Sequence, residues 1–432
     1  MSMKLALAAP TPSLPLARAT IPALGVALAA LLYLVHLRTP ETYAGIFWFW
    51  GVAPIWPPFF DLHGVLSSVQ CYRLGVDVYA ANPCDIAGRV YNYSPLILGL
   101  AVFDVTVDWV MPGGLILGAL FLVALASLPQ PRGAYGWTIT LLATFSTMTI
   151  FAVERCNGDV AIFLIAIAAG HLLARRAAPA LGYALAIFAA MLKLYPVALL
   201  ILALRERLKI LIAVLAVALL AFIAYALAFE SQLARALDHV PTGPYFTDLF
   251  GAKNLPGGLA DLVSFLAGAG PQAGGGFVAV RAAFWAVAVA AFLWQAFRVA
   301  ARGDWRDGIA MLAPAPATFL VLGAAVILFC FFGAQNVGYR GIFFLPLLPG
   351  LLLVAPGRRV AALIVFLMWG EAFREGMEGI EAWYGVTAQS SVPNLIFWLV
   401  RELIWWRVVS VLGGVLLIAA LPRLRRFAGA AA

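Results

Sequence analysis

Asp61 stands in Pro57-Pro58-Phe59-Phe60-Asp61-Leu62-His63, inside a long polar stretch, residues 38 to 93, of a chain that is otherwise strongly apolar. A carboxylate so placed is the first candidate for a general base, the group that takes a proton from an attacking hydroxyl. Its plain alternative is a solvated loop acid. Lys193 lies in Leu192-Lys193-Leu194-Tyr195-Pro196. A cation close to an aromatic and a proline, between two short apolar segments, suits a phosphate as a point charge; the alternative is snorkelling to lipid headgroups. Two more polar turns are Glu154-Arg155-Cys156-Asn157-Gly158-Asp159 and residues 333 to 341, with Asn336, Tyr339 and Arg340. Each can be an ordinary charged turn or an interfacial anchor, but ionisable groups at membrane depth are costly and usually face a wet cavity or a partner. Together these residues describe a site for a lipid-linked phosphate and a polar acceptor.

The elements that must position them are membrane helices. The 432 residues are 64% hydrophobic and 11% charged, far from globular averages. Apolar runs long enough to cross about 30 Å of hydrocarbon recur from Thr20 to Leu421, and none of the connections is large enough for a separate soluble domain. The expectation is one all-α, polytopic membrane domain over residues 1–432. A basic flank, Lys4 and Arg18, precedes the first apolar run without a small-residue cleavage site, which reads as an uncleaved first helix. The net charge of +8 does not imply nucleic acid, because the basic residues sit at helix ends and form no aromatic-interleaved stripe.

Short basic loops should face the cytoplasm. Arg132, Arg175-Arg176, Arg205 to Lys209, Arg298 to Asp307, Arg358-Arg359 and Arg423 with Arg425-Arg426, together with Lys4 and Arg18, hold 16 of the 28 basic residues but only three of the 20 acids. The long connections, 38–93, 230–276 and 371–394, then face outward with the other 17 acids. Both termini fall in the cytoplasm, and the loop signs give about twelve crossings. Residues 95 to 112, with Asp104 and Asp108, read as a broken or re-entrant entry to the second crossing. Only 28 residues separate Arg176 from Arg205, so a pair of short helices turning at Lys193-Leu194-Tyr195-Pro196 is expected there, with Lys193 near the outer surface. Cys71 and Cys84 enclose twelve residues on the oxidising side. A disulfide there would stabilise the fold by roughly 3 kcal/mol; two free thiols is the other reading. Nothing has zinc-ligand spacing.

Several motifs, in order, resemble those of the C-type, polyprenyl-phosphate-sugar-dependent membrane glycosyltransferases, nearest to glycosyltransferase family 87, which includes phosphatidylinositol-mannoside mannosyltransferases. They are Asp61 in the first outer loop, Gly75-Val76-Asp77-Val78-Tyr79, Tyr93-Ser94-Pro95-Leu96, the Asn157-Gly158 turn, and Leu192 to Pro196 before the Arg205 to Lys209 loop. The Lys-x-Tyr-Pro element is also similar to that of the first mannosyltransferase of GPI-anchor assembly. The similarity covers roughly residues 45 to 210. Ser94-Pro95 stands where the family commonly has two prolines, and Asp61 lacks a preceding tryptophan.

The resemblance implies an inverting transfer of a sugar, mannose by family, from a polyprenyl-phosphate donor to a lipid or glycan acceptor; the Ala- and Arg-rich composition fits a bacterial inner membrane. The resemblance also implies Asp61 as base, Lys193, Arg340 and Tyr195 at the donor phosphate, and His63, Asp77, Tyr79, Tyr93, Asn157 and Asp159 around the sugar or acceptor. No cofactor or obligatory metal is expected, because the first loop has no acidic pair such as Asp-x-Asp. The rival readings are a transporter or lipid-linked-sugar flippase and a noncatalytic assembly subunit. A transporter is expected to show repeated halves and midplane ionisables, and no repeat is evident in this chain.

Overall fold

The computed structural model describes residues 15–239, 243, 245–246, 249–268, 274–383 and 392–430. Lys4 lies outside them, as do the side chains of Arg423, Arg425 and Arg426. Helix is the only regular structure among the described residues apart from one antiparallel bridge, Phe250 with Asn336. Composition dictates this: in hydrocarbon a helix satisfies every backbone N–H and C=O within its own segment.

The first half of the chain contains α1 (Pro15–Arg38), α2 (Pro40–Phe49), α3 (Phe60–Arg73), α4 (Pro95–Leu98), α5 (Val110–Ser127), α6 (Gly133–Thr144), α7 (Thr147–Arg155), α8 (Gly158–Arg175) and α9 (Pro179–Leu192). A 3-10 segment, Tyr195–Arg205, leads to α10 (Leu208–Ala228), α11 (Glu230–Asp238), α12 (Asn254–Leu266), α13 (Gly274–Ala301), α14 (Gly303–Ala310) and α15 (Pro314–Gly333). A second, Gly338–Phe344, precedes α16 (Leu348–Leu353), α17 (Gly357–Met368), α18 (Gly370–Trp383) and α19 (Val392–Ala430). Residues 95 to 109 are broken into α4 and two short 3-10 turns before α5.

Seven of these helices are long and apolar enough to cross a membrane, or eight if α6 and α7, bent by 42°, count as one span. That is fewer than the twelve crossings read from the loop charges. The difference lies in apolar runs that are too short to cross alone. The 14 residues of α9 reach about 21 Å at 1.5 Å each, and the 11 of Tyr195–Arg205 about 22 Å at 2.0 Å each. Burial sorts the spans: 67% of the α15 window is buried, against 6% for α1 and for α13. Thus α15 is the bundle's axis, whereas α1, α10 and α13 present apolar side chains outward, as a multi-pass membrane protein requires.

The polarity of the central helices follows from their contacts. The Tyr183 hydroxyl donates to Glu206 at 3.3 Å, so the start of α9 meets the far end of Tyr195–Arg205. Arg205 donates to Thr318 Oγ1 (2.8 Å) and to the Ala317 carbonyl (2.9 Å) at the start of α15. Gly158, Lys193 and Gly333 therefore share one end of the bundle, and Arg175, Glu206 and Pro314 the other. Close approach along α15 uses glycine: a Cβ on Gly323 would fall 2.8 Å from the Phe343 carbonyl, and one on Gly350 2.6 Å from that of Pro316.

Residues 60 to 103 with α11 form a small second core against the bundle. Val69, Val78, Tyr79, Tyr91, Leu98 and Ala236 bury their side chains there. Cys71 and Cys84 are bonded to each other. Asn82 donates to Ser67 (3.3 Å) and Ser68 (2.9 Å), and His63 meets Asp85 at 3.1 Å, so buried polar pairs fix this cap onto α3. The polar stretch 38–93 is thus partly helical, through α2 and α3.

Candidate active site

Where the cap meets the α7–α8 turn, four of the charged residues singled out in the sequence come together. The turn begins at Cys156, whose backbone is left-handed (φ 45°), and Asn157 caps α8. Its Oδ1 accepts the Asp159 N–H (3.0 Å) and Lys193 Nζ (3.0 Å), and its Nδ2 donates to Asp61 Oδ2 at 2.7 Å. The amide can point only one way, because a flip would set its donors against two donors and its carbonyl against a carboxylate. One side chain therefore couples Asp61 of the cap to Lys193 of the bundle.

Asp61 lies in the first turn of α3, where the helix N-terminus favours a carboxylate. Phe59, left-handed at φ 62°, precedes the helix, and its N–H donates to the Glu154 carbonyl at 3.0 Å. Its ring fills the space over Gly114, where a Cβ would come within 2.2 Å. Arg89 then reaches across: Nη1 to Asp61 Oδ1 (3.3 Å), Nη2 to the Phe60 carbonyl (2.9 Å) and Nε to Asp85 Oδ2 (2.9 Å). Burial alone would raise the Asp85 carboxyl, but the hydrogen bonds and charge of Arg89, with His63, hold it below the usual carboxylate range. The Asp61 side chain keeps 19% of its exposure, and a carboxylate has about four acceptor positions, so protein donors leave it room for a proton.

Asp159 is its opposite, with no side-chain exposure. Lys193 Nζ (2.7 Å) and the Tyr195 hydroxyl (2.6 Å) donate to Oδ1, and Arg340 Nε (3.3 Å) to Oδ2. Arg340 also donates to Asn336 Oδ1. Asn336 is itself bridged to Phe250, which ties the connection 230–276 to this turn. One buried carboxylate thus holds two cations that keep 13% (Lys193) and 22% (Arg340) of their side-chain exposure. Tyr93 lies beside them, with Lys193 Nζ 5.2 Å from its ring centre. Burial, with Asp61 and Asp159 nearby, pushes its phenol above the ordinary range. Gly158 leaves this corner open: a Cβ there would be in van der Waals contact with Lys193 and Tyr93.

Asp61, Asn157, Asp159, Lys193, Tyr195, Arg340 and Tyr93 are therefore gathered in one place. Asp159 and Tyr195 use their polar atoms on each other and on the cations, so they anchor rather than face a ligand. His63 is buried behind Asp61 against Asp85. Asp77 and Tyr79 lie elsewhere in the cap: Asp77 pairs with Arg235 of α11 at 2.7 Å, and Tyr79 packs edge-on against Tyr91. The hydrogen bond and charge of Arg235 hold Asp77 below its ordinary pKa. Arg89 and Asp85 were missed by the sequence reading, although their i,i+4 spacing was visible. Among the described residues no three His, Cys, Asp or Glu side chains gather as metal ligands.

An apolar groove of about 440 Å³ opens between Tyr195–Arg205, α15 and α19, lined by Val197, Ile201, Leu328, Phe329 and Leu416. Its lining begins at Val197, four positions after Lys193, and takes in Ala325, Leu328 and Phe329 from the second half of α15. Comparison of the chain with protein-family models, with curated proteins and with solved structures finds no match.

Proposed function

We propose that this membrane protein is an inverting glycosyltransferase that moves a hexose from a polyprenyl-phosphate donor to a hydroxyl of a lipid or glycan acceptor, on the extracytoplasmic side. The observation that carries the proposal is the single-residue bridge between Asp61 and Lys193 through Asn157, 2.7 and 3.0 Å long. A base and a phosphate cation are held one amide apart.

The chemistry follows from the charges. The acceptor oxygen attacks the anomeric carbon, its proton passes to Asp61, and the bond from that carbon to the phosphate oxygen breaks on the opposite face. The phosphodiester becomes a phosphomonoester and gains one negative charge. Asp61, Asp85 and Asp159 balance Arg89, Lys193 and Arg340, so the cluster is neutral before the step and +1 once Asp61 holds the proton. The positive charge appears as the leaving group needs it, in a partly dry site where fixed charges act most strongly. Phosphate, once so stabilised, leaves without a separate acid. The groove suits a polyprenyl chain: it is apolar, it is open toward the bundle's exterior, and its lining begins four positions after Lys193, at Val197. The acidic outer connections and the basic loops at the other end support an outward site.

Purified protein should form a glycosylated product from a polyprenyl-phosphate hexose and a glycolipid acceptor. Asp61→Asn should fold normally and lose about 10²- to 10⁴-fold in kcat, the usual worth of a positioned base. A transporter or assembly subunit would give no product, and full activity in Asp61→Asn would remove the assignment of the base.

A further inference from the structure

At the end of the bundle away from Lys193, the turn between α8 and α9 meets the turn between Tyr195–Arg205 and α10. The Tyr183 hydroxyl of α9 donates to Glu206 at 3.3 Å, and Arg176 lies within electrostatic reach of both Tyr183 and Arg205. Arg205 is spent on the start of α15, through Thr318 and the Ala317 carbonyl. Arg175, Arg176, Arg207 and Lys209 are not so spent: all four are exposed, and none forms an ion pair among the described residues. Five cations against the one acid, Glu206, leave this notch with an excess of four positive charges.

What adjoins the cations selects their partner. Helix α10 begins directly after Arg207, and of its 21 residues only Leu211 and Ala218 are buried. Beside that seam Leu208, Ile212, Leu215 and Leu219, spaced four, three and four apart, form one exposed apolar stripe that starts at the cations and runs along the helix. A free anion would use the charges and leave the stripe bare. A phospholipid uses both, with its phosphate among the basic side chains and its acyl chains along the stripe. The net charge of the headgroup follows from the same residues. A zwitterionic head would bring its ammonium among cations, where the notch's carboxylate, Glu206, already accepts the Tyr183 hydroxyl. A phosphate with no ammonium beside it meets attraction alone.

We infer that this notch binds a phospholipid of net negative headgroup, with Arg176, Arg207 and Lys209 at the phosphate and the outer stripe of α10 against the chains. The site is separate from the Asp61–Lys193 cluster, and its binding needs no turnover. The test is native mass spectrometry of the full-length protein in a non-ionic detergent, titrated with dioleoyl phosphatidylglycerol, dioleoyl phosphatidylcholine or inorganic phosphate. Phosphatidylglycerol should form a saturable adduct at least about tenfold more tightly than phosphatidylcholine, and inorganic phosphate at the same concentration should not displace it. Replacing Arg176→Gln, Arg207→Gln and Lys209→Gln together should weaken phosphatidylglycerol about 100-fold, to the level of phosphatidylcholine. Arg132→Gln, Arg358→Gln and Arg359→Gln together remove the same charge from exposed residues on other turns, and should leave its binding as in wild type. Equal binding of the two lipids, displacement by inorganic phosphate, unchanged binding in the first triple variant, or an equal loss in the second would each overturn the assignment. Should the first triple variant not fold, Lys209→Gln alone decides, with an expected loss of about fivefold.

Discussion

Asp61 and Asp159 lie on either side of one amide, Asn157, and are held in different ways. The bundle surrounds Asp159 completely: Lys193 and Tyr195 descend from the α9 turn, Arg340 from the turn after α15, and nothing of the carboxylate remains exposed. Asp61 is held by one amide of the bundle, Asn157, and by one partly exposed guanidinium of the cap, Arg89, which is itself fixed by Asp85. A carboxylate with three donors is an anchor, and one with acceptor positions to spare can take a proton. The bundle therefore supplies a cationic wall, and the cap presents to it the carboxylate proposed as base.

The sharpest way to break this contrast is to neutralise each acid in turn. Asp61→Asn should cost about 10²- to 10⁴-fold in kcat with the melting temperature nearly unchanged. Asp159→Asn should do the reverse in kind: it leaves Lys193 and Arg340 without their buried counter-charge, a loss of about 3–5 kcal/mol. Thermal unfolding in detergent would show it, together with a weaker hold on a polyprenyl phosphate. If Asp159→Asn melts like wild type while Asp61→Asn unfolds, the roles of anchor and base are exchanged.

Next in size is the cap's covalent tie. Cys71→Ser opens a loop closed over 13 positions, worth roughly 3 kcal/mol. The loss should be local: hydrogen exchange should rise across residues 60 to 91 and stay unchanged in α8 and α15. Uniform loosening of the whole chain would mean that cap and bundle are one cooperative unit.

What the sequence disclosed has the same division. Asp61 stood out within the polar stretch 38–93, and Lys193 and Arg340 stood out because a charge amid apolar residues is costly and so conspicuous. The reversal at Lys193 was legible because Pro196 and the short spacing between basic flanks allow little else. Asp159 was misjudged as a pocket residue, since only the fold brings Tyr195 and Arg340 onto it across 36 and 181 positions. Arg89 went unseen because its link to Asp61 spans 28 positions, through α3 and the irregular chain that follows it. Asp77 and Tyr79 looked like site residues through the resemblance, yet Asp77 spends its carboxylate on an exposed pair with Arg235 and Tyr79 packs in the cap's own core. Loop charges gave about twelve crossings, whereas seven or eight spans are long and apolar enough among the described residues; α9 and Tyr195–Arg205, expected as a short pair, are two of the segments that fall below that length.

The smallest effect expected is that of pH on the cap. Asp85 has no side-chain exposure and ties Arg89 to His63 of α3, and its folded pKa lies below the ordinary value. A depressed carboxyl contributes stability that is complete above its unfolded pKa, about 3.9, and is lost as pH falls through the folded value. Between pH 7 and 5, exchange in residues 60 to 91 should therefore be flat once the intrinsic rate is divided out. Below about pH 4 it should rise first around Asp85 and Arg89, freeing the guanidinium that steadies Asp61. Asp85→Asn should remove this acid step and leave the cap looser at pH 7. An acid step that persists in Asp85→Asn would place the cap's pH dependence on another carboxylate, Asp77 being the next, since Arg235 holds its pKa down as well.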